Sequence, residues 1–376
     1  MSKPLRVLYV YGGTMKRGGM EAYMMNYYRH VDRSKLQIDF LIHGFDKGVY
    51  DDEIIELGGK LYHIPSRREN YFRSINEMRK VFLSKKDDYR IVHSHMDAAN
   101  MYALREAKRC NIPIRVSHSH NTQYLTKNKL LIWNLNRCRA NIHKYATHFY
   151  ACSQAAGDWL YKSTKAVPDN IEIIHNAIDY SLYSFNPDTR KSYRTLMNVE
   201  NDFVVGHVGR LDYQKNQLFL VEIFSAIKAL VENAKLIVVG TGSLREKLEE
   251  KINALGLKDS VLLLGSRDDI PQLLNSFDAF LLPSLFEGLP VSLIEAQANG
   301  LRCFTSDRVT KESNILNYVD FIPLEEDVNF WAKRIVEKCK KDNDREISKS
   351  KFVESGYDII SEAEKLQNAY LELGGA

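Results

Sequence analysis

Glu287 and Glu295 flank a short loop that contains Gly288, Leu289, Pro290 and Val291. Upstream, Gly209, Arg210 and Lys215 follow one apolar run, and Gly240 and Gly242 follow the next. Arg210 and Lys215 supply fixed positive charge. An ionised carboxylate only accepts hydrogen bonds and can take two donors at once, so Glu295 suits the two hydroxyls of a ribose. From Ser292 the pattern turns helical, and a helix start offers unpaired N–H groups to an anion. These residue types suit a nucleoside diphosphate. Taken alone, the stretch has a second explanation. Ser292 and Glu295 fit the capping box S-x-x-E, in which Glu295 only reaches back to the Ser292 N–H, and Glu287 is then an exposed loop acid.

The elements that must carry these residues alternate along the chain. Strand-like runs occur at 6–11, 36–42, 61–64, 90–95, 114–120, 148–152 and 171–174. Helical patterns lie between them, including an amphipathic one at 71–85 and a basic, aromatic pair across 124–145. A loop-like passage, 180–187, precedes a restart. Strands follow at 203–208, 235–239, 260–264, 279–282, 302–309 and 319–323, with a helix at 217–231, another capped by Ser243 and Glu246, and closing helices at 329–341 and 358–373. Such alternation predicts parallel sheets with helices on both faces. In doubly wound sheets ligands sit outside the carboxyl ends of the strands, where all the residues above fall. Arg267, between Ser266 and Asp268, falls there too. In the first half the same edge carries Gly18, Gly19, His93, His95, His118 and His120. The expected fold is α/β, with two Rossmann-like doubly wound domains facing across a cleft. They span 1–180 and 181–356, and a C-terminal helix, 357–376, packs back toward the first.

Composition narrows the function. Residues 1–180 carry 28 Lys and Arg against 18 Asp and Glu, and the rest carry 24 against 30. Between Glu106 and Asp158 there is no acid and there are eight Lys or Arg. The first half is therefore built to meet something negative. Nucleic acid would explain that half but not the anion loops of the acidic half. In the acid-free segment Lys127, Lys129, Arg137, Arg139 and Lys144 are interleaved with Tyr124, Leu130, Leu131, Ile132 and Trp133, which is how an interfacial helix meets an anionic membrane. No run reaches the roughly 18 apolar residues of a membrane span, and the start of the chain lacks a signal-peptide core. Cys110, Cys138, Cys152, Cys303 and Cys339 form no C-x-x-C pair, which points to reduced thiols and away from a zinc site. Asp342 and Asp344 match the D-x-D of metal-dependent transferases, but they sit in a charge run that suits a solvated turn. The expected location is cytoplasmic, peripheral on the inner face of the membrane.

Several pieces, in order, resemble the GT-B glycosyltransferases of glycosyltransferase family 4. They are Gly18 to Glu21, Asn176 to Asp179, Val208 to Lys215, Val239 to Gly242, and the E-x7-E pair Glu287 and Glu295. The resemblance implies a retaining transfer of a sugar from a nucleotide sugar, a UDP-hexose or UDP-HexNAc, to a glycan or lipid-linked acceptor in bacterial surface polysaccharide synthesis. It implies that Arg210 and Lys215 bind the donor diphosphate, Glu295 the ribose and Glu287 the transferred sugar. Gly18 and Gly19 then let the first loop approach the donor, and a histidine ending the fifth strand packs on the sugar. His118 and His120 both qualify, with His120 preferred. No cofactor or metal is implied, since the two cations and helix starts serve the diphosphate. Two departures stand out: Ala177 where the family commonly has glycine, and Gln214, Lys215, Asn216 where it often has Glu-Lys-Gly. A nucleotide-sugar epimerase of the same fold fits E-x7-E less well. A non-catalytic partner subunit would be expected to lack Arg210, Lys215 or the carboxylates, and all are present.

Overall fold

The computed structural model describes residues 3–85, 87–124, 126–162, 170–341, 345 and 347–375, so Asp342 and Asp344 lie outside the described residues. The chain divides into two compact units, Met1–Ala177 with Ile359–Ala376, and Ile178–Asp358.

The first unit runs β1 (Leu5–Tyr11), α1 (Gly19–His30), β2 (Leu36–His43), α2 (Asp51–Glu56), β3 (Leu61–Ile64), α3 (Tyr71–Ser84), β4 (Ile91–His95), α4 (Asn100–Arg109), β5 (Ile114–Ser119), α5 (Lys129–Asn141), β6 (His148–Ala151), α6 (Gln154–Tyr161) and β7 (Glu172–Ile173). The sheet order is β3-β2-β1-β4-β5-β6-β7, with parallel pairs. β2 and β4 are buried at every position, as strands covered on both faces must be. α3 begins where Asn70 accepts from the Arg73 N–H at 2.9 Å, and it buries Ile75, Met78 and Phe82 along one stripe. The 124–145 stretch holds α5 and then a single 3-10 turn, Ile142–Lys144, rather than two helices.

The second unit runs α7 (Tyr180–Tyr183), α8 (Pro187–Leu196), β8 (Phe203–Val208), α9 (Gln217–Leu230), β9 (Ala234–Val239), α10 (Arg245–Ala254), β10 (Val261–Gly265), α11 (Ile270–Ser276), β11 (Ala279–Leu282), α12 (Val291–Ala298), β12 (Arg302–Ser306), β13 (Val319–Ile322), α13 (Val328–Lys341) and α14 (Lys349–Glu354). Its sheet is also parallel, ordered β10-β9-β8-β11-β12-β13. α9 and α13 pack around Trp331, Leu220, Phe224 and Ile335. The stretch expected as a loop, 180–187, instead holds α7 and opens α8, because Asn186 caps that helix and Pro187 starts it.

The chain then re-enters the first unit as α15 (Ile359–Gly374). Ile359, Ala363, Leu366 and Tyr370 of α15 share a core with Tyr9, Tyr23, Tyr27 and Phe40. No sequence repeat links the units, yet both sheets grow outward in two directions from the junction of their first and fourth strands. Those junctions, β1 with β4 and β8 with β11, are where a doubly wound sheet opens a crevice.

Candidate active site

In the second unit the crevice is built from the loops after β8 and β11. Asp212 accepts from the Lys215 N–H at 3.3 Å and turns the β8 loop back on itself. Asn216 follows in the left-handed region, φ 56°. Asparagine tolerates that conformation better than most side chains, which explains how it stands where the family often has glycine. The turn brings Lys215 Nζ to 2.7 Å from Glu287 Oε1, with side chains only 13% and 7% exposed. Gln214 Nε2 donates to Glu287 Oε2 at 3.0 Å and to the Phe286 carbonyl at 3.1 Å. The neutral amide thus gives Glu287 a second donor beside Lys215.

Gly240 and Gly242 have steric roles. Gly240 has φ 140°, and a Cβ on it would lie 1.9 Å from the Gly209 carbonyl oxygen. One on Gly242 would lie 2.2 Å from the Leu211 oxygen. The β9 loop therefore packs backbone to backbone on the β8 loop, held by Leu211 N–H donating to the Thr241 carbonyl at 2.9 Å. Gln217 Nε2 donates to the Arg210 carbonyl at 2.6 Å and fixes the same loop from beneath.

The remaining charged residues are placed separately. Arg210 is 57% exposed and lies 3.5 Å from Asp212. Arg267 is forked onto Asp269 at 2.8 and 2.6 Å, and Tyr193 holds that carboxylate. Glu295 lies in the second turn of α12. No side chain caps that helix, because Pro290 takes the capping position and places Ser292 inside the helix. The capping-box explanation thus does not apply. Glu295 Oε1 instead accepts from Tyr183 Oη at 2.8 Å, and burial lifts its carboxyl to about 7. Ser243 and Glu246 likewise form no box, since α10 starts from Leu244 without a side-chain cap.

In the first unit Gly18 precedes α1, and the Glu21 carboxylate folds back beside it. Glu21 accepts from Tyr11 Oη at 2.7 Å. Ala177 is buried and is not among the residues of positive φ. His93, His95, His118 and His120 form one stacked block. His118 and His120 stack at 4.1 Å and 12°, and His93 and His95 at 4.1 Å and 28°. His93 Nε2 is 3.0 Å from His118 Nδ1, and His95 Nδ1 is 2.9 Å from His120 Nε2. Burial keeps all four imidazoles neutral, with His120 down to about 3. His118 is fully buried, whereas His120 keeps 9% of its surface. Asp97, at φ 49°, accepts from the His120 N–H at 2.7 Å and fixes the end of the strand.

No metal-ligand spacing was evident in the sequence, but the fold gathers nitrogens of His93, His95 and His118 within 4.8 Å of one another. A bound metal lies in the plane of each imidazole. His93 Nε2 pairs with His118 and His93 Nδ1 with Tyr370 Oη, so both nitrogens of His93 are already engaged.

Tyr183, Gln217 and Asp97 escaped sequence reasoning, and Gln214 was noted only as a departure inside a motif, without its contact to Glu287. Tyr183 meets Glu295 across 112 residues and carries no local signal.

Two family models match the chain: Glycosyltransferase Family 4 over residues 17–182, and Glycosyl transferases group 1 over residues 189–346. EpsF of Bacillus subtilis (strain 168), named as a glycosyltransferase, is 33% identical over 98% of this chain and 97% of its own length. The UDP-Gal:alpha-D-GlcNAc-diphosphoundecaprenol alpha-1,3-galactosyltransferase of Escherichia coli is 29% identical over 77% of each chain. In fold, the chain is similar to Anabaena HepE in complex with UDP-glucose, with TM-score 0.78 and 18% identity over 98% of this chain and 99% of that one. With two parallel Rossmann-like sheets, both family models and a full-length relative in agreement, the chain belongs to the GT-B glycosyltransferases of the family 4 type.

Proposed function

We propose that this chain is a retaining transferase that moves a hexose or N-acetylhexosamine from a UDP-sugar to a lipid-linked or glycan acceptor in bacterial surface polysaccharide synthesis. The contact between Lys215 and Glu287 carries the proposal. A cation suited to the leaving diphosphate and a carboxylate suited to the sugar meet at the switch point, one for each side of the bond that breaks. Charge on the diphosphate grows as that bond breaks, so Lys215 and Arg210 act mainly in the transition state. Glu295, oriented by Tyr183, takes the ribose hydroxyls. Gly209, Gly240 and Gly242 let the backbone approach the donor, Gly288 to Val291 lead into α12, and Arg267 borders the base. In the first unit Gly18 and Gly19 admit the donor. His120, which keeps an exposed edge, is the histidine for the sugar, and His118 supports it from beneath. The N-terminal unit takes the acceptor and docks on an anionic membrane through α5. The E. coli relative's name gives a UDP-sugar and a diphospholipid-linked acceptor, which supports both assignments.

A panel of UDP-, GDP- and ADP-sugars, with nucleoside diphosphate release measured with and without EDTA, tests this. Release from a UDP-sugar is expected, undiminished by EDTA, and NMR of the product should show the donor's anomeric configuration kept. Preference for another nucleotide, loss of turnover restored by a divalent ion, or an inverted product would each overturn the corresponding part.

A further inference from the structure

The switch-point crevice of the first unit, where β1 meets β4, has an unassigned cation beside it. Arg67 follows β3 and is part-buried, yet among the described residues it makes no hydrogen bond and no ion pair. Several other buried or part-buried arginines here spend their donors on protein acceptors. Arg6 forks onto Asp39, Arg194 reaches Asp278, and Arg115 and Arg345 bind carbonyls. Its guanidinium lies over the ring face of Tyr102, 5.1 Å from the centroid, a contact that spends none of its five N–H donors. Its nitrogens are not among the sealed, unpartnered ones, so an anion entering the crevice can reach them.

A second group beside it is also incomplete. His43 ends β2 and is 3% exposed. Its Nδ1 is 2.7 Å from the Tyr11 carbonyl, so the proton sits there, and Nε2 is a lone pair with no partner. The two groups flank consecutive residues, because the Cβ position of Gly12 lies 3.7 Å from Arg67 Nη2 and 3.3 Å from Met96, just past β4. Arg67, His43, Gly12 and Met96 thus stand over the carboxyl ends of four adjacent strands, where this fold places ligands.

We infer that this crevice is an anion subsite for the acceptor, in which Arg67 takes a phosphate or carboxylate and His43 Nε2 accepts from a neighbouring sugar hydroxyl. The inference rests on the proposed transferase function and deepens it, by requiring that the acceptor be anionic near the sugar that is extended. A diphosphate linkage and an acidic sugar share this chemistry.

Calorimetry on the full chain, with UDP present to occupy the donor site, separates the two sources. The probes are glucose 1-phosphate, glucuronic acid and neutral methyl glucoside. Wild type should bind at least one charged probe saturably, and Arg67→Gln should weaken it on the order of tenfold or more. Arg67→Lys, which keeps the charge without the fork, should recover part of the affinity. His43→Phe, matched in shape, should weaken the same probe, and both variants should bind UDP as wild type does. Binding of glucose 1-phosphate alone assigns a phosphate, and of glucuronate alone an acidic sugar. Equal binding by wild type and Arg67→Gln, no charged probe bound, or methyl glucoside bound as tightly as the charged probes would overturn the subsite. Failure to bind UDP, with the charged probe responding to Arg67 as described, would instead overturn the donor assignment and leave the subsite standing.

Discussion

In the proposed donor complex Lys215 serves both a diphosphate and Glu287, 2.7 Å away, whereas exposed Arg210 lies 3.5 Å from Asp212. Lys215→Ala should therefore lower turnover on the order of 10²–10³-fold, and more than Arg210→Ala does. Steady-state nucleoside diphosphate release checks this, and wild-type turnover in Lys215→Ala would remove the diphosphate role. Glu295 gives a pH dependence. Its carboxyl is raised to about 7, and in the proposed donor complex only the ionised form would accept from both ribose hydroxyls. Donor affinity should rise as pH passes upward through about 7, while a Glu295→Gln variant stays flat. Stability moves the other way. A carboxyl that holds its proton more tightly folded than unfolded contributes stability below its unfolded value, which is lost as pH rises through about 7. Glu295→Gln should thus gain stability relative to wild type at pH 8. Thermal unfolding and UDP titration at pH 6 and 8 measure both, and parallel rather than opposite trends would discount the shift.

At the scale of elements, the β8 and β9 loops leave no room for a side chain. Gly240→Ala combines a φ of 140° with a Cβ 1.9 Å from a carbonyl oxygen, and should cost roughly 2–4 kcal/mol. Denaturant unfolding would reveal it, and an unchanged midpoint would mean the loops can separate. Both glycines were visible in the sequence because a strand-to-helix turn shows its glycines locally. So were the strands that carry Arg210, Lys215 and Glu287, since a buried parallel strand is a short apolar run bounded by turn residues. The helix starts were less legible. Ser292 and Ser243 carry the right residue types, but Pro290 sets one start earlier, and the Leu244 N–H, bonded to the Leu211 carbonyl, sets the other later. The histidine block was legible only as four residues on two strands. Its pairing depends on strand register, which one chain's local pattern does not encode.

At the scale of the whole molecule, residues 1–180 carry the excess of positive charge, and α5 sets exposed apolar side chains among its basic ones. Leu130 is 80% and Trp133 60% exposed on α5, with Arg137 stacked 4.9 Å from the Trp133 ring. Arg139 is turned instead onto Trp159, so not every basic residue of the segment is available. No helix among the described residues is long and apolar enough to cross a membrane. Co-sedimentation with anionic liposomes should fall with added salt and drop several-fold in Trp133→Ala and in Lys129→Glu with Arg137→Glu. Equal recovery with neutral lipid would leave α5 as a solvated face. The discontinuous first unit also bears on how the protein is made. β1 and α1 are made well before α15, so Tyr9, Tyr23 and Tyr27 wait for Ile359, Leu366 and Tyr370 to complete their core. Throughout synthesis of the second unit the nascent first unit therefore lacks the α15 part of that core.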